Sequence, residues 1–144
     1  MTLFEVKMNL FDSKPSVYLA HCISADFAMG AGIAKQFTER GVKDYLQLNY
    51  MKDVWNNKGY ALYASIEGYK GVYNLVTKEK YWMKPTYKTL RQSLEHLKNQ
   101  IPDGAMLNMP CIGTGLDKLD WEIVRGIIAN TFADKDIKIT ICKL

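Results

Sequence analysis

The chain has 144 residues, 19 of them basic and 15 acidic, for a net charge of +4. That length suits one domain, residues 1–144, with a full-sized core. The charge is too mild for a protein that coats nucleic acid non-specifically. No apolar run reaches membrane length and no signal-peptide pattern is present, so a soluble, intracellular protein without a membrane partner is expected. The three cysteines, Cys22, Cys111 and Cys142, each sit in an apolar, strand-like run. Their odd number and wide separation fit buried thiols in a reducing cytoplasm (or nucleus, in a eukaryote) better than a disulfide framework or a zinc motif.

Phe4, Val6, Met8 and Leu10 alternate with Glu5, Lys7 and Asn9, which predicts a half-buried strand. Asp12 to Pro15 reads as a loop. Val17 to Ile23 is nearly continuous apolar sequence, as in a central strand covered on both faces. Ser24 to Ala31 is a glycine-bearing loop, followed by a helix from about Gly32 to Arg40 that Gly41 stops. Tyr45, Leu46 and Leu48 suggest a further short helix. Asn56 to Gly59 is a turn. Tyr60 to Ile66 and Val72 to Thr77 are strands with a short connection, hence an antiparallel hairpin.

Lys78 to Pro85 reads as a loop, its lysines as a solvated face. Tyr87, Leu90, Leu94, Leu97 and Ile101 follow a 3-4 spacing and predict an amphipathic helix. Pro102-Asp103-Gly104 ends it. Ala105 to Met109 is a buried strand, and Pro110 to Asp117 a second glycine loop. A helix over 121–132 follows, with Asp120 as its N-cap. Ile137, Ile139 and Ile141 alternate with polar residues in a last strand. Strands and helices in this order give an α/β chain with a mixed sheet and helices on both faces.

Each glycine loop sits where a strand ends and a helix begins. Gly30 with Gly32, and Gly113 with Gly115, let the backbone approach a ligand and turn N–H groups toward an anion. A single loop of this kind is more often a tight strand–helix turn. The first is neither a dinucleotide fingerprint, since Lys35 stands where the third glycine belongs, nor a P-loop. Two such loops at strand ends point to a nucleotide diphosphate crevice. His21 reads as a strand histidine with a structural hydrogen bond, and His96 as a helix-surface residue. Trp55, Trp82 and Trp121 read as packing residues, although Tyr81 and Trp82 are also candidates for a pocket rim. Lys84 alone reads as a solvated loop lysine and Asp117 alone as a turn residue.

Taken together, His21-Cys22-Ile23-Ser24, Met29 to Ala34, Lys84-Pro85-Thr86-Tyr87, Ile112-Gly113 with Gly115-Leu116-Asp117, and Asp136 to Thr140 resemble the macrodomain family. The resemblance is strongest to its terminal ADP-ribose protein glycohydrolase subgroup, and the segments keep their order and spacing from near residue 9 to the C-terminus. The resemblance implies a three-layer α/β/α fold with a mixed, mostly parallel central sheet, binding ADP-ribose without a metal or other cofactor. It implies that Asn9 and Leu10 lie by the adenine. Ser24, Asp26, Met29, Gly30, Ala31, Gly32 and Ile33 then approach the ribose and phosphates. Cys111, Ile112, Gly113, Thr114, Gly115 and Leu116 wrap the diphosphate and distal ribose, with Leu144 at the border. In this subgroup the residue at Lys84 is the nucleophile and the one at Asp117 the acid/base. Many relatives carry Asp where this chain has Asn9; the amide oxygen can still accept from an adenine amino group, without charge assistance.

The implied activity is removal of mono-ADP-ribose from glutamate or aspartate side chains, with deacylation of O-acyl-ADP-ribose such as O-acetyl-ADP-ribose. A lysine amine can attack the anomeric carbon, or its open-chain aldehyde, to give a Schiff-base intermediate. Free lysine titrates near roughly 10.4, so Lys84 needs desolvation or help from neighbours, for which Lys78 and Lys80 are candidates by repulsion. Two other readings stand beside this one: a phosphatase acting on ADP-ribose 1″-phosphate, and a non-catalytic ADP-ribose reader. The joint presence of Lys84 and Asp117 argues against the reader. ADP-ribosylated nucleic acid is a further open substrate class, not favoured by the mild charge. A monomer is expected.

Overall fold

A computed structural model describes all residues 1–144. Six strands form one sheet in the order β1-β6-β5-β2-β4-β3. They are β1 (Thr2–Lys7), β2 (Tyr18–Ser24), β3 (Tyr60–Ala64), β4 (Gly71–Lys78), β5 (Ala105–Met109) and β6 (Ile137–Lys143). All neighbours run parallel except β3 and β4, which form the antiparallel hairpin that the short connection requires. The helices are α1 (Gly32–Glu39), α2 (Val42–Asn49), α3 (Tyr87–Gln100) and α4 (Trp121–Thr131). None is long and apolar enough to cross a membrane.

The sheet separates two cores. One, of 18 buried residues, packs Leu90, Leu94 and Leu97 of α3 and Val124, Ile127 and Ile128 of α4 on one face. The other, of 15, packs Phe37 of α1 and Val42 and Leu46 of α2 on the opposite face. This is the expected three-layer α/β/α arrangement. The apolar rows recur at helical spacing and cover strands that are apolar on both sides, as buried parallel strands must be. In β4 every residue from Gly71 to Thr77 is buried.

Local signals set the ends of the elements. Gly41, at φ +84°, takes the left-handed position that closes α1. Thr86 and Thr89 form a reciprocal capping box at the start of α3. Asp120 caps α4 by accepting from the Glu122 amide.

The first strand departs from expectation. It ends at Lys7, and Leu10 lies in a 3-10 turn, Leu10–Asp12, rather than continuing the alternation. Phe4 and Val6 stay 48 % and 42 % exposed, because β1 is a sheet edge and no helix covers that side of it. Its other side faces α4, where Glu5 accepts from the Trp121 indole N–H and meets Arg125.

The parallel strands share one direction, so their carboxyl ends collect along a single edge of the sheet. The segment after β1, the glycine loop after β2, the loop after β4, the glycine loop after β5 and the chain end after β6 all emerge there. β2 leads to α1 on one face and β5 to α4 on the other. The two strands pair only through Tyr18 with Leu107 and Leu19 with Asn108. Neighbouring strands whose helices go to opposite faces leave a crevice at their carboxyl ends, the usual ligand position in an open α/β sheet.

Candidate functional site

The first wall of the crevice is the loop from Ala25 to Ala31. Phe27 and Met29 are buried with φ of +54° and +47°, uncommon for residues with side chains. Asp26 holds this turn. It accepts from Ser24 Oγ at 2.5 Å, from the Ala28 amide at 3.1 Å and from the Tyr81 amide at 3.1 Å. Burial opposes ionisation of Asp26, but these hydrogen bonds and the Lys80 charge outweigh it and leave the carboxyl below its ordinary range. The amides of residues 29–34 find no acceptor within the protein, and α1 begins without a side-chain cap. They form a row of N–H donors at a helix N-terminus, a natural anion cradle.

The second wall is the loop from Pro110 to Asp120. Gly113 sits at φ +75°, and its carbonyl takes the Leu119 amide at 2.8 Å. Thr114 Oγ1 donates to the Cys111 carbonyl at 2.7 Å. The amides of residues 114–117 have no protein partner. Only one glycine of each pair takes the left-handed conformation, Gly113 here and Gly32 at φ +58° in the first loop; Gly115 and Gly30 do not. What Gly115 contributes is bareness, since no atom lies within 4 Å of the place where a Cβ would stand.

The third wall is the loop after β4. Pro85 is buried and keeps Lys84 out of the helical region, so its side chain leaves the loop instead of joining α3. Lys84 Nζ donates to the Leu116 carbonyl oxygen at 2.6 Å. The neighbouring residue, Asp117, pairs with Lys78 at 2.6 Å, and each of those side chains is only 13 % exposed. Lys80 pairs with Asp53 at 2.9 Å. The expectation of solvated lysines over 78–84 therefore fails at Lys78, which stands at the end of a buried strand. Lys78 and Lys80 each meet a carboxylate instead of crowding Lys84. Beneath the pair lies Cys22. Burial, reinforced by Asp117 and opposed by Lys78 and the Gly113 amide, pushes its thiol up to about 12, so it is a neutral packing group and no nucleophile.

Tyr81 and Trp82 rise beside Lys84, 62 % and 63 % exposed, with ring centroids 5.0 Å apart in an edge-to-face pair. Trp82 is thus no packing residue, and the two rings stand in solvent on the loop that carries Lys84. Trp55 and Trp121 are partly buried and pack on the two cores as expected.

At the far end of the crevice Leu10 is buried and Leu144 exposed. Asn9 Oδ1 accepts from the Phe11 amide at 2.9 Å and so caps the 3-10 turn. One lone pair of that oxygen and both N–H groups remain for a ligand. Tyr69 donates to the Phe11 carbonyl, and the Arg40 guanidinium lies 3.7 Å from the centre of the Phe11 ring, which keeps this turn in place.

Both histidines serve the scaffold. His21 Nε2 donates to Asn74 Oδ1 at 2.6 Å inside the sheet, stacked on Phe37. Burial brings its pKa down to about 4 despite the Asn74 bond, so the ring is neutral. His96 is exposed, yet its Nδ1 accepts from the Ala61 amide. A concavity of about 360 Å³ beside it is lined by Tyr60, Gln92 and Asn99, away from the three loops. There Gln92 accepts from the Gly59 amide, which ties the turn before β3 to α3.

The sequence motifs thus converge. Lys84, Asp117 and the two rows of free amides meet at one edge of the sheet. Sequence reasoning offers Lys78 only as a neighbour repelling Lys84 and misses its pairing with Asp117, for which its place directly after an unbroken apolar strand was the available signal.

No family model matches the chain. It is 42 % identical over 146 aligned positions to ADP-ribose glycohydrolase OARD1 of Homo sapiens, covering 96 % of this chain and 90 % of that protein. The figures for OARD1 of Bos taurus are the same. Among solved structures, the macrodomain of Thermus aquaticus DarG superposes with a TM-score of 0.77 at 19 % identity, covering 99 % of both chains. Thermosipho africanus DarTG in complex with ADP-ribose superposes at 0.70 with 20 % identity, over 99 % of this chain and 42 % of that one.

Proposed function

This chain belongs to the macrodomain family, and from that premise we propose that its crevice binds ADP-ribose and releases it from glutamate or aspartate side chains. Kinship with an ADP-ribose glycohydrolase across nearly the whole chain supports a hydrolase. The free amides of 29–34 and 114–117 would take the diphosphate, as N–H rows at helix and loop ends take anions. Leu10, Asn9 and Leu144 would border the adenine.

The observation that carries the catalytic reading is the Lys84–Leu116 contact at 2.6 Å. It brings a primary amine from the β4–α3 loop onto the glycine loop, one residue from a carboxylate. In the reaction, the unprotonated Lys84 nitrogen forms a bond to C1″ of the distal ribose. The C1″–O bond to the acyl group breaks, and the carboxylate leaves with the bonding pair. Asp117 takes the proton from the nitrogen. The ring opens to an iminium as Asp117 passes that proton to the ring oxygen, water adds to C1″ and gives a proton to Asp117, and the carbinolamine collapses. Asp117 returns the proton, the lysine amine is restored, and ADP-ribose closes to its ring form. When the acyl group sits on another ribose oxygen, as in O-acetyl-ADP-ribose, it would first migrate by transesterification to the 1″ oxygen, freeing the other hydroxyl, and then leave as the carboxylate through the same attack at C1″.

The protein works as a monomer on this reading, since all three loops come from one chain. The three free cysteines suit a reducing compartment. The decisive experiment is ADP-ribose release from a glutamate-modified protein, run beside O-acetyl-ADP-ribose and ADP-ribose 1″-phosphate. Turnover of the 1″-phosphate alone would make the protein a phosphatase. Micromolar ADP-ribose binding with no turnover of any substrate would make it a reader.

A further inference from the structure

Lys78 touches both glycine loops at once. Its carbonyl accepts the Ala25 amide at 2.9 Å, where the first loop begins. Its ammonium meets Asp117 of the second loop at 2.6 Å. It sits where the β2–β4 register shifts, opposite Ser24. Lys84, six positions on, contacts the second loop one residue away, at the Leu116 carbonyl. Two lysines therefore share one loop, one on a carboxylate and the other on a neutral oxygen.

That division matters for an attacking amine. An ammonium held against a carboxylate is stabilised in its charged form, and the charged form cannot attack carbon. Asp117 is only 13 % exposed, so a lysine paired with it is held strongly. We infer that Lys78 is a positioning residue that occupies Asp117 and thereby keeps Lys84 from locking into an ion pair with it. Lys84 rests instead on a carbonyl that it can leave for substrate, while the Lys78 contact holds the Asp117 side chain in place. This rests on the reading of Lys84 as the attacking amine.

Two variants test it, Lys78→Met, which keeps length and loses charge, and Lys78→Arg, which keeps the charge. With O-acetyl-ADP-ribose, Lys78→Met should lose about 100-fold in kcat, the range of one proton-transfer partner, while KM stays within about 3-fold. ADP-ribose affinity by calorimetry should stay within the same limit. The rate–pH curve of Lys78→Met should move to higher pH, because Asp117 is then free to pair with Lys84. Lys78→Arg should recover at least about 10-fold of the lost kcat, as a bidentate cation can still hold Asp117. Hydrogen exchange at the Lys118 and Leu119 amides, which bond the Gly115 and Gly113 carbonyls within the loop, should quicken in Lys78→Met and return toward wild type in Lys78→Arg.

Unchanged kcat in Lys78→Met would overturn the inference. So would equal losses of kcat, ADP-ribose affinity and melting temperature in both variants, which would mark a purely structural lysine. A borohydride adduct found on Lys78 instead of Lys84 would overturn it by making Lys78 the nucleophile. Should the wild type turn over no substrate, the hydrolase reading falls separately, and exchange at the Lys118 and Leu119 amides still decides whether Lys78 positions the loop.

Discussion

Lys84 Nζ rests 2.6 Å from the carbonyl oxygen of Leu116, and the two residues come from loops that follow different strands. The contact is charge to neutral oxygen, so it orients the amine without neutralising it. Lys84→Arg separates charge from nucleophilicity. Arginine can still donate to the Leu116 carbonyl and stay cationic, but it cannot attack carbon. Its activity should fall to that of Lys84→Ala while calorimetry still reports ADP-ribose binding. Asp117→Ala should also abolish turnover, and the two losses should not add, because both groups serve one step. Borohydride with substrate should leave ADP-ribose on Lys84 of the wild type. An active Lys84→Arg enzyme would refute the lysine mechanism.

Asn9→Asp should keep or improve ADP-ribose affinity. A carboxylate oxygen can still accept from the Phe11 amide, so the cap of the 3-10 turn survives. It would also make a charge-assisted bond to an adenine amino group. Calorimetry on the two proteins measures this. A marked loss of affinity at unchanged melting temperature would place the adenine elsewhere.

The two glycines of the second loop should behave differently. Gly113→Ala puts a Cβ at 3.0 Å from Leu119 Cδ1 and forces alanine to φ +75°. It should destabilise by about 1–2 kcal/mol, the cost of a left-handed residue, read by urea unfolding. At Gly115 a Cβ meets no atom within 4 Å and φ is not positive, so Gly115→Val should hardly change stability. Its side chain would stand among the free amides of 114–117, and ADP-ribose affinity should fall severely. Unaltered affinity in Gly115→Val would move the phosphates off this loop.

His21 gives the fold a pH dependence. Its folded pKa lies near 4 against an ordinary 6.5, because burial disfavours the charged ring. Between those values the unfolded chain binds a proton that the folded chain does not, so stability falls as pH drops from about 6.5 toward 4 and levels off below. The full gap corresponds to about 3 kcal/mol. His21→Gln can still donate to Asn74 Oδ1 but has no proton to gain. Its urea midpoint should lose less over that window than that of the wild type, and equal slopes would show that His21 charges without penalty.

Much of this protein is determined locally. The 3-4 spacing from Tyr87 to Ile101 makes α3, the short connection makes the β3–β4 hairpin, and Gly41 stops α1, because each depends on neighbours a few residues away. The glycine loops and the Lys84-Pro85 step are legible for the same reason. Three features were decided only by the tertiary structure. Phe4 and Val6 carry a strand's alternation, yet alternation cannot say that β1 is an edge with one side uncovered. Trp82 has a core residue's chemistry, and only the path of the loop after β4 leaves it in solvent beside Tyr81. Lys78 belongs to a lysine-rich stretch that reads as solvated. It is 39 residues from Asp117. They meet because the strand order sets β2 between β5 and β4, and β2 is short enough in its pairing with β5 for the second loop to fold across its end. Local pattern reports which face of an element is apolar or charged. What comes to cover that face is settled by contacts distant in sequence, and the Lys78–Asp117 pair exists only there.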